Sequence, residues 1–320
     1  MVNDKYSSEE IQEIAKKYEL SQEELDKTID LICDCLTLGV QSHEHPIAVV
    51  VGGQSGGGKT GIIGYAQKCL KDDNIIIDND TYREFHPKIK EINSKYAELM
   101  TDCTDQLSFY ATPIIIDRMI KGKYNLVIHQ TLKSKRIADD AMQKLRDNGY
   151  TVGVMALAVA SVESYLSMME RCLVQLKIDR TCRWVDPINH DKAFNSIPDT
   201  LSYIENDIKN YNFIQVVMRG KTNPTSPRII YCKLNEKNTA QENELIEKYF
   251  KTNIENTYKN SVDAIKNGRI LSEDETLKKI DDRLIDAAFD DFLICGHEPS
   301  EAKDRIKILR QTVKEIRAKK

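Results

Sequence analysis

The run Gly53-Gln54-Ser55-Gly56-Gly57-Gly58-Lys59-Thr60 is where residue type and spacing most directly specify chemistry in this sequence. Gly-x-x-x-x-Gly-Lys-Thr suits a nucleoside-triphosphate cradle, because backbone N–H groups must turn inward around phosphate oxygens and side chains would obstruct them. Lys59 would reach the β- and γ-phosphates, and the Thr60 hydroxyl would ligate Mg²⁺. The β-branched run Ile47-Ala48-Val49-Val50-Val51 precedes the loop as a buried strand, and a helical pattern from Lys59 to Lys71 follows it. That helix would point the positive end of its dipole at the anion. No Asn-Lys-x-Asp run of the kind that reads guanine is present, which leaves ATPases and small-molecule kinases.

A second group lies past the next apolar run. Ile75-Ile76-Ile77 ends in Asp78-Asn79-Asp80, and ligands of open α/β sheets sit beyond the carboxyl ends of strands. Asp80 is placed to take a proton from an acceptor hydroxyl as its bond to phosphorus forms. Asp78 could cap the turn or assist the metal. Read from the residues alone, Asp80 serves equally well as an ordinary turn residue.

The elements that must hold these groups are legible in outline. Leu126-Val127-Ile128, Val152 to Val159, Phe213 to Met218 and Ile229 to Leu234 read as further strands, most of them separated by helical patterns. This is an α/β protein: a P-loop NTPase-type parallel sheet flanked by helices, with N-terminal and C-terminal helical additions. Residues 1–45 are expected as a helical segment packed on the core, 46–235 as the P-loop kinase core, and 236–320 as a helical extension. In the first segment, Ser7-Ser8-Glu9-Glu10 and Ser21-Gln22-Glu23-Glu24 have the capping-box form, and Gly39 is a stop signal. In the last, helices are expected at 240–265, 273–294 and 299–318, the final one striped by Ile306, Leu309, Val313 and Ile316.

Composition narrows the functions. The 320 residues carry a formal net charge of −4, so no overall basic field exists to hold a nucleic-acid backbone. No apolar run of about 18 residues suggests a membrane span. The polar start Met1-Val2-Asn3-Asp4-Lys5 lacks a secretory core, and eight scattered cysteines read as small buried apolar residues. A reduced cytoplasmic setting is expected.

Taken together, these motifs resemble the zeta-toxin family, P-loop kinases of bacterial toxin–antitoxin systems. The resemblance rests on Gly52 through Thr60, on Ile77-Asp78-Asn79-Asp80-Thr81-Tyr82-Arg83, and on His86-Pro87. It continues through Tyr124-Asn125-Leu126-Val127-Ile128, Thr131, Gly149-Tyr150, Ser164-Tyr165-Leu166, Glu170-Arg171, Arg183 and His190-Asp191, covering roughly residues 40 to 205. It implies transfer of phosphate from ATP, with Mg²⁺, to the 3′-hydroxyl on the amino sugar of UDP-N-acetylglucosamine. It also implies an antitoxin partner that blocks the ATP site. Carried over by position, Lys59 and Thr60 hold phosphate and metal, Asp80 is the general base, and Arg171 and Arg183 reach the γ-phosphate. Always-charged planar guanidinium groups suit that last role.

One segment departs from the family pattern. Where the family follows its third strand with Glu-Gly-Thr, this chain reads His129-Gln130-Thr131, and Lys133 stands where arginine is common. A neutral imidazole does not supply a carboxylate's charge. Three readings stay open: His129 and Gln130 reshape the acceptor pocket for another sugar nucleotide or alcohol; they leave a weakened kinase or a protein that binds ATP without transferring phosphate; or His129 is simply hydrogen-bonded at the strand end and the family substrate is kept. His129, Thr131 and Lys133 are the residues expected on the acceptor side. A P-loop kinase of another nucleotide, or of a nucleic-acid end, is the rival within the enzyme class.

Overall fold

A strand made entirely of apolar residues is stable only where both of its faces are covered, and that requirement organises this chain. In the computed structural model, residues 6–179, 187–220 and 226–284 are described, together with isolated positions between 311 and 318. The strands are β1 (Ile47–Gly52), β2 (Ile75–Ile77), β3 (Leu126–Gln130), β4 (Thr151–Leu157), β5 (Phe213–Met218) and β6 (Arg228–Leu234). They form one sheet in the order β2-β3-β1-β4-β5-β6. Every neighbouring pair is parallel except β5 and β6, which run antiparallel. Only residues 219–227 separate those two strands, too few for the crossover a parallel pair needs.

The helices are α1 (Ser8–Lys16), α2 (Gln22–Thr37), α3 (Lys59–Cys69), α4 (Ile89–Lys95), α5 (Met100–Cys103), α6 (Thr112–Lys121), α7 (Lys135–Asp147), α8 (Ser161–Asp179), α9 (Pro187–Tyr203), α10 (Ala240–Tyr249), α11 (Ser261–Gly268) and α12 (Glu273–Leu284). Side chains alternate across β1. Ala48 and Val50 join a core with residues of α2, α6, α7, α9 and α11, while Ile47, Val49 and Val51 join one with α3 and α10. Both expected capping boxes form, on Ser7 with Glu10 and on Ser21 with Glu24. Among the described residues, no helix is long and apolar enough to cross a membrane.

The C-terminal part differs from its sequence reading. The helix expected over 240–265 is two helices, α10 and α11, with irregular chain between them. Asparagines explain the break. The Asn256 side chain bonds the backbone N–H and carbonyl of Cys232, satisfying the open edge of β6, and Asn260 caps α11. Glu205 then fastens α11 to the sheet, accepting from the Ser261 N–H at 3.0 Å, the Ser261 hydroxyl at 2.5 Å and the Tyr231 hydroxyl at 2.8 Å. The expected stretch 273–294 is helical as far as Leu284, and the stripe Ile306, Leu309, Val313 and Ile316 lies outside the described residues.

His86 ties the N-terminal helices to the segment that follows β2. Its Nδ1 accepts from the Lys88 N–H at 3.1 Å, so Nε2 carries the proton donated to the Tyr18 carbonyl at 2.9 Å. Burial, the main cause, holds its pKa below the ordinary value. A base disfavoured as a cation in the fold contributes stability above its unfolded pKa of about 6.5 and loses it as pH falls through the folded value. We expect His86→Ala to cost about 1–2 kcal/mol near neutrality. Thermal melts from about pH 7.5 to about pH 5 should fall more steeply in the wild type than in the variant. Parallel slopes would remove His86 as the cause.

Candidate functional site

Parallel pairing brings the carboxyl ends of five strands, β1 to β5, to one side of the sheet. The register sets Val51 beside His129 and Gly52 beside Gln130 on one side of β1, and Gly52 beside Ala156 on the other. The glycine loop leaves β1 between these neighbours and enters α3 at Lys59. The ammonium of Lys59 curls over the loop, donating to the Gly53 carbonyl at 2.8 Å and the Gln54 carbonyl at 3.1 Å. Ser55 is half-buried within the loop, and Thr60 is exposed in the first turn of α3.

Packing demands the glycines as strongly as any ligand would. Gly56 and Gly58 have φ of 68° and 96°, backbone that favours glycine. A Cβ on Gly56 would run into the Ser164 carbonyl oxygen of α8, and one on Gly58 would lie 2.9 Å from Arg219 Nε. Gly57 donates its N–H to the Gln54 carbonyl, and a Cβ there would sit 2.9 Å from that same oxygen.

Beneath the loop runs a buried polar chain. Gln54 donates from Nε2 to the Val159 carbonyl at 3.0 Å and to the Ser164 hydroxyl at 3.3 Å. Ser164 Oγ lies 2.8 Å from His190 Nε2, and His190 Nδ1 lies 2.9 Å from Asp191. The order Ser-His-Asp has the form of a nucleophilic triad, but Ser164 and His190 are wholly buried, so the chain fixes the loop to α8 and α9 instead.

The turn after β2 is built around Asp78. Its Oδ1 accepts the Asp80 N–H at 3.2 Å, and its carbonyl accepts the Thr81 hydroxyl at 2.7 Å. Asn79 reaches Ser108, buried on the π-helical turn Leu107–Ala111. Tyr82 backs the turn; burial first, then the nearby Asp78 charge, pushes its phenol pKa up and keeps it neutral. Asp80 Oδ1 stands 3.5 Å from Arg83 Nε, an electrostatic contact without hydrogen-bond alignment. Arg83 is itself held by Thr101, Thr104 and Asp105.

The third-strand segment faces that turn. His129 Nδ1 lies 3.2 Å from Asp78 Oδ1, again off the line of a hydrogen bond. Gln130 and Thr131 are half-buried and Lys133 is exposed. Between the last two, Leu132 takes φ of 51°, an uncommon conformation for a branched side chain, and packs into the space left free by Gly52. The strand end is therefore turned by force of packing.

Of the expected arginines, Arg171 is exposed on α8, one turn beyond Ser167 and two beyond Glu163. Arg183 lies outside the described residues. The residue missed by sequence reasoning is Arg219, the first past β5, whose guanidinium bonds the loop carbonyls of Gly56 and Gly57. Its place at the carboxyl end of a strand was the available signal.

The loop fits an anion, with an amine, a helix start and glycine backbone in one place. Among the described residues, no group of three or more His, Cys, Asp or Glu side chains gathers as a metal site. Mg²⁺ takes few protein ligands beside phosphate oxygens and water, so the hard oxygen of Thr60 suits it.

The chain matches the family described as Zeta toxin over residues 29–226. It is 29% identical over 188 residues to Toxin PezT of Streptococcus pneumoniae serotype 4, spanning 58% of this chain and 74% of that protein. It is 29% identical over 216 residues to Toxin zeta of Enterococcus hirae, spanning 65% and 76%. A solved chain from the PezAT chromosomal toxin–antitoxin system of Streptococcus pneumoniae superposes with a TM-score of 0.59 at 24% identity, covering 83% of this chain and 98% of the other.

Two glycine substitutions separate strain from ligand. Gly39 has φ of 78° and open space around it, whereas Gly56 combines positive φ with a clash. Gly39→Ala should lower stability by about 1 kcal/mol and leave the thermal shift caused by Mg·ATP intact. Gly56→Ala should abolish that shift. An unchanged shift in Gly56→Ala would show that the loop does not shape the nucleotide site.

Proposed function

This chain belongs to the zeta toxin family, and from that premise we propose that it transfers the γ-phosphoryl group of ATP to the 3′-hydroxyl on the amino sugar of UDP-N-acetylglucosamine or a related sugar nucleotide. Family members are kinase-like phosphotransferases on a P-loop fold. The observation that carries the reading is the shared sheet edge, where the glycine loop after β1 and the Asp78-Asn79-Asp80 turn after β2 flank the end of β3.

In this reading Lys59 and the loop N–H groups bind the phosphates. Asp80 accepts the proton of the acceptor hydroxyl as the oxygen bonds to phosphorus and the bond to the β-phosphate oxygen breaks. Asp78 holds the Asp80 backbone through its N–H, and the Arg83 guanidinium stands beside the Asp80 carboxylate as a counter-charge. Arg171, and Arg183 by family position, neutralise charge on the transferring group. Thr60 would hold Mg²⁺, which would supply charge shielding for the phosphates. Thr131 and Lys133 follow β3 and would line the acceptor side.

His129 supports a second reading within the same chemistry. Placed 3.2 Å from Asp78, it sets an imidazole where the family pattern has a carboxylate, which favours an acceptor other than the family's own. The relatives' names as toxins support an antitoxin as partner of this chain.

The test is mass spectrometry of purified protein incubated with Mg·ATP and UDP-N-acetylglucosamine, beside Lys59→Ala. A product heavier by one phosphoryl group, absent with the variant, is the expected result. ATP binding without product would move the acceptor to another alcohol, sought in a metabolite extract. Absence of transfer to any acceptor would contradict the kinase reading.

A further inference from the structure

Three consecutive glycines give residues 56–58 the widest conformational freedom in the chain, so something outside the loop must fix its shape. Beside the Gln54–Ser164 link below the loop, Arg219 supplies such a contact on its carbonyl side. Its Nε donates to the Gly57 carbonyl at 2.7 Å, and its Nη2 donates to the Gly56 carbonyl. Nη1 reaches the Ser167 hydroxyl at 3.1 Å and stands 3.5 Å from Glu163 Oε1. The same carboxylate oxygen accepts Lys279 Nζ at 2.6 Å. Glu163 and Ser167 share one face of α8, and Lys279 lies on α12, beyond residue 226 where the family match ends.

Peptide planarity converts these bonds into a statement about the phosphate site. In a trans peptide the N–H points opposite to the carbonyl. Holding the Gly57 carbonyl on Arg219 therefore directs the Gly58 N–H away from the guanidinium. The Gly56–Gly57 peptide is held at both ends, by Arg219 on its carbonyl and by the Gln54 carbonyl on its N–H. The arginine fork can serve both carbonyls at once because its donors are coplanar and fixed. Its side chain is 24% exposed and that of Glu163 is 12% exposed, so water competes weakly for either.

We propose that Arg219 is a positioning residue for the nucleotide. It holds the phosphate loop in its binding shape, and the C-terminal helix α12 sets it in place through the Lys279–Glu163 pair. This rests on the nucleotide-binding reading of the loop. A preformed loop binds more tightly because the ordering cost has been met before the ligand arrives. The proposal also gives α12 a task at the site.

Calorimetric titration of the full chain with Mg·ATP tests it. Arg219→Ala should bind at least about tenfold more weakly, the loss expected for two charge-assisted bonds to a flexible loop. Arg219→Lys should recover part of the affinity, since one ammonium cannot span both carbonyls as a fork does. Lys279→Ala, far from the loop itself, should shift affinity in the same direction by less. Nucleotide-free melting temperatures of Arg219→Lys and Lys279→Ala should stay within a few degrees of wild type, which separates positioning from general stability. If Arg219→Ala fails to fold, the other two variants carry the test. Wild-type affinity in every folded Arg219 variant would overturn the proposal alone. A wild-type protein that does not bind Mg·ATP would overturn the nucleotide reading with it.

Discussion

The parallel pairing of β1 with β3 and β4 is the constraint on which this molecule depends. Parallel strands end on the same side, so three chain segments that leave the sheet at 52, 130 and 157 must share one small space. Each solves the crowding differently. The first uses glycine backbone, the second turns on Leu132 in a left-handed conformation packed against Gly52, and the third enters α8 after the buried residues 158–160. The glycine loop brings backbone N–H groups and the Lys59 amine to that space, and the turn after β2 sets Asp78 and Asp80 on the far side of the β3 end.

The two halves of that region are built on different terms. The glycine-loop half is held from two sides: Gln54, Ser164, His190 and Asp191 support it from below, and Arg219 holds its carbonyls. The half around the Asp78-Asn79-Asp80 turn is polar and more open. Asp78 organises its turn, Arg83 stands beside Asp80, and His129 takes a place where the family pattern has a carboxylate. Under the proposed reading, a fixed phosphate cradle beside a more open acceptor wall would let one fold keep a reaction while its substrate changes.

Much of this was legible in the sequence because it depends on local pattern. The strand-loop-helix context of residues 47–71, the capping boxes and the strand at 213–218 follow from spacing alone. What escaped depends on contacts distant in sequence. Arg219 meets Gly57 across 162 positions, and no periodicity marks such a pair. Asn256 breaks the expected helix because it finishes the edge of β6, a need visible only once that strand is known to be the last. The antiparallel turn of β6 follows from the shortness of the 219–227 connection, a signal already present in the spacing of the two strand runs. The resemblance named Asp80, Arg171 and Arg183 as a set; the structure describes the surroundings of the first two.

In the proposed reaction Asp80, just past the end of β2, completes a phosphoryl-transfer site whose nucleotide-binding half stands independently. Asp80→Asn measures it directly, because the substitution keeps shape and hydrogen-bonding reach while removing the proton acceptor. With the preferred acceptor and saturating Mg·ATP, Asp80→Asn should keep nucleotide affinity near that of the wild type and slow single-turnover transfer by at least about a hundredfold. Transfer at the wild-type rate would contradict it and remove Asp80 as the base.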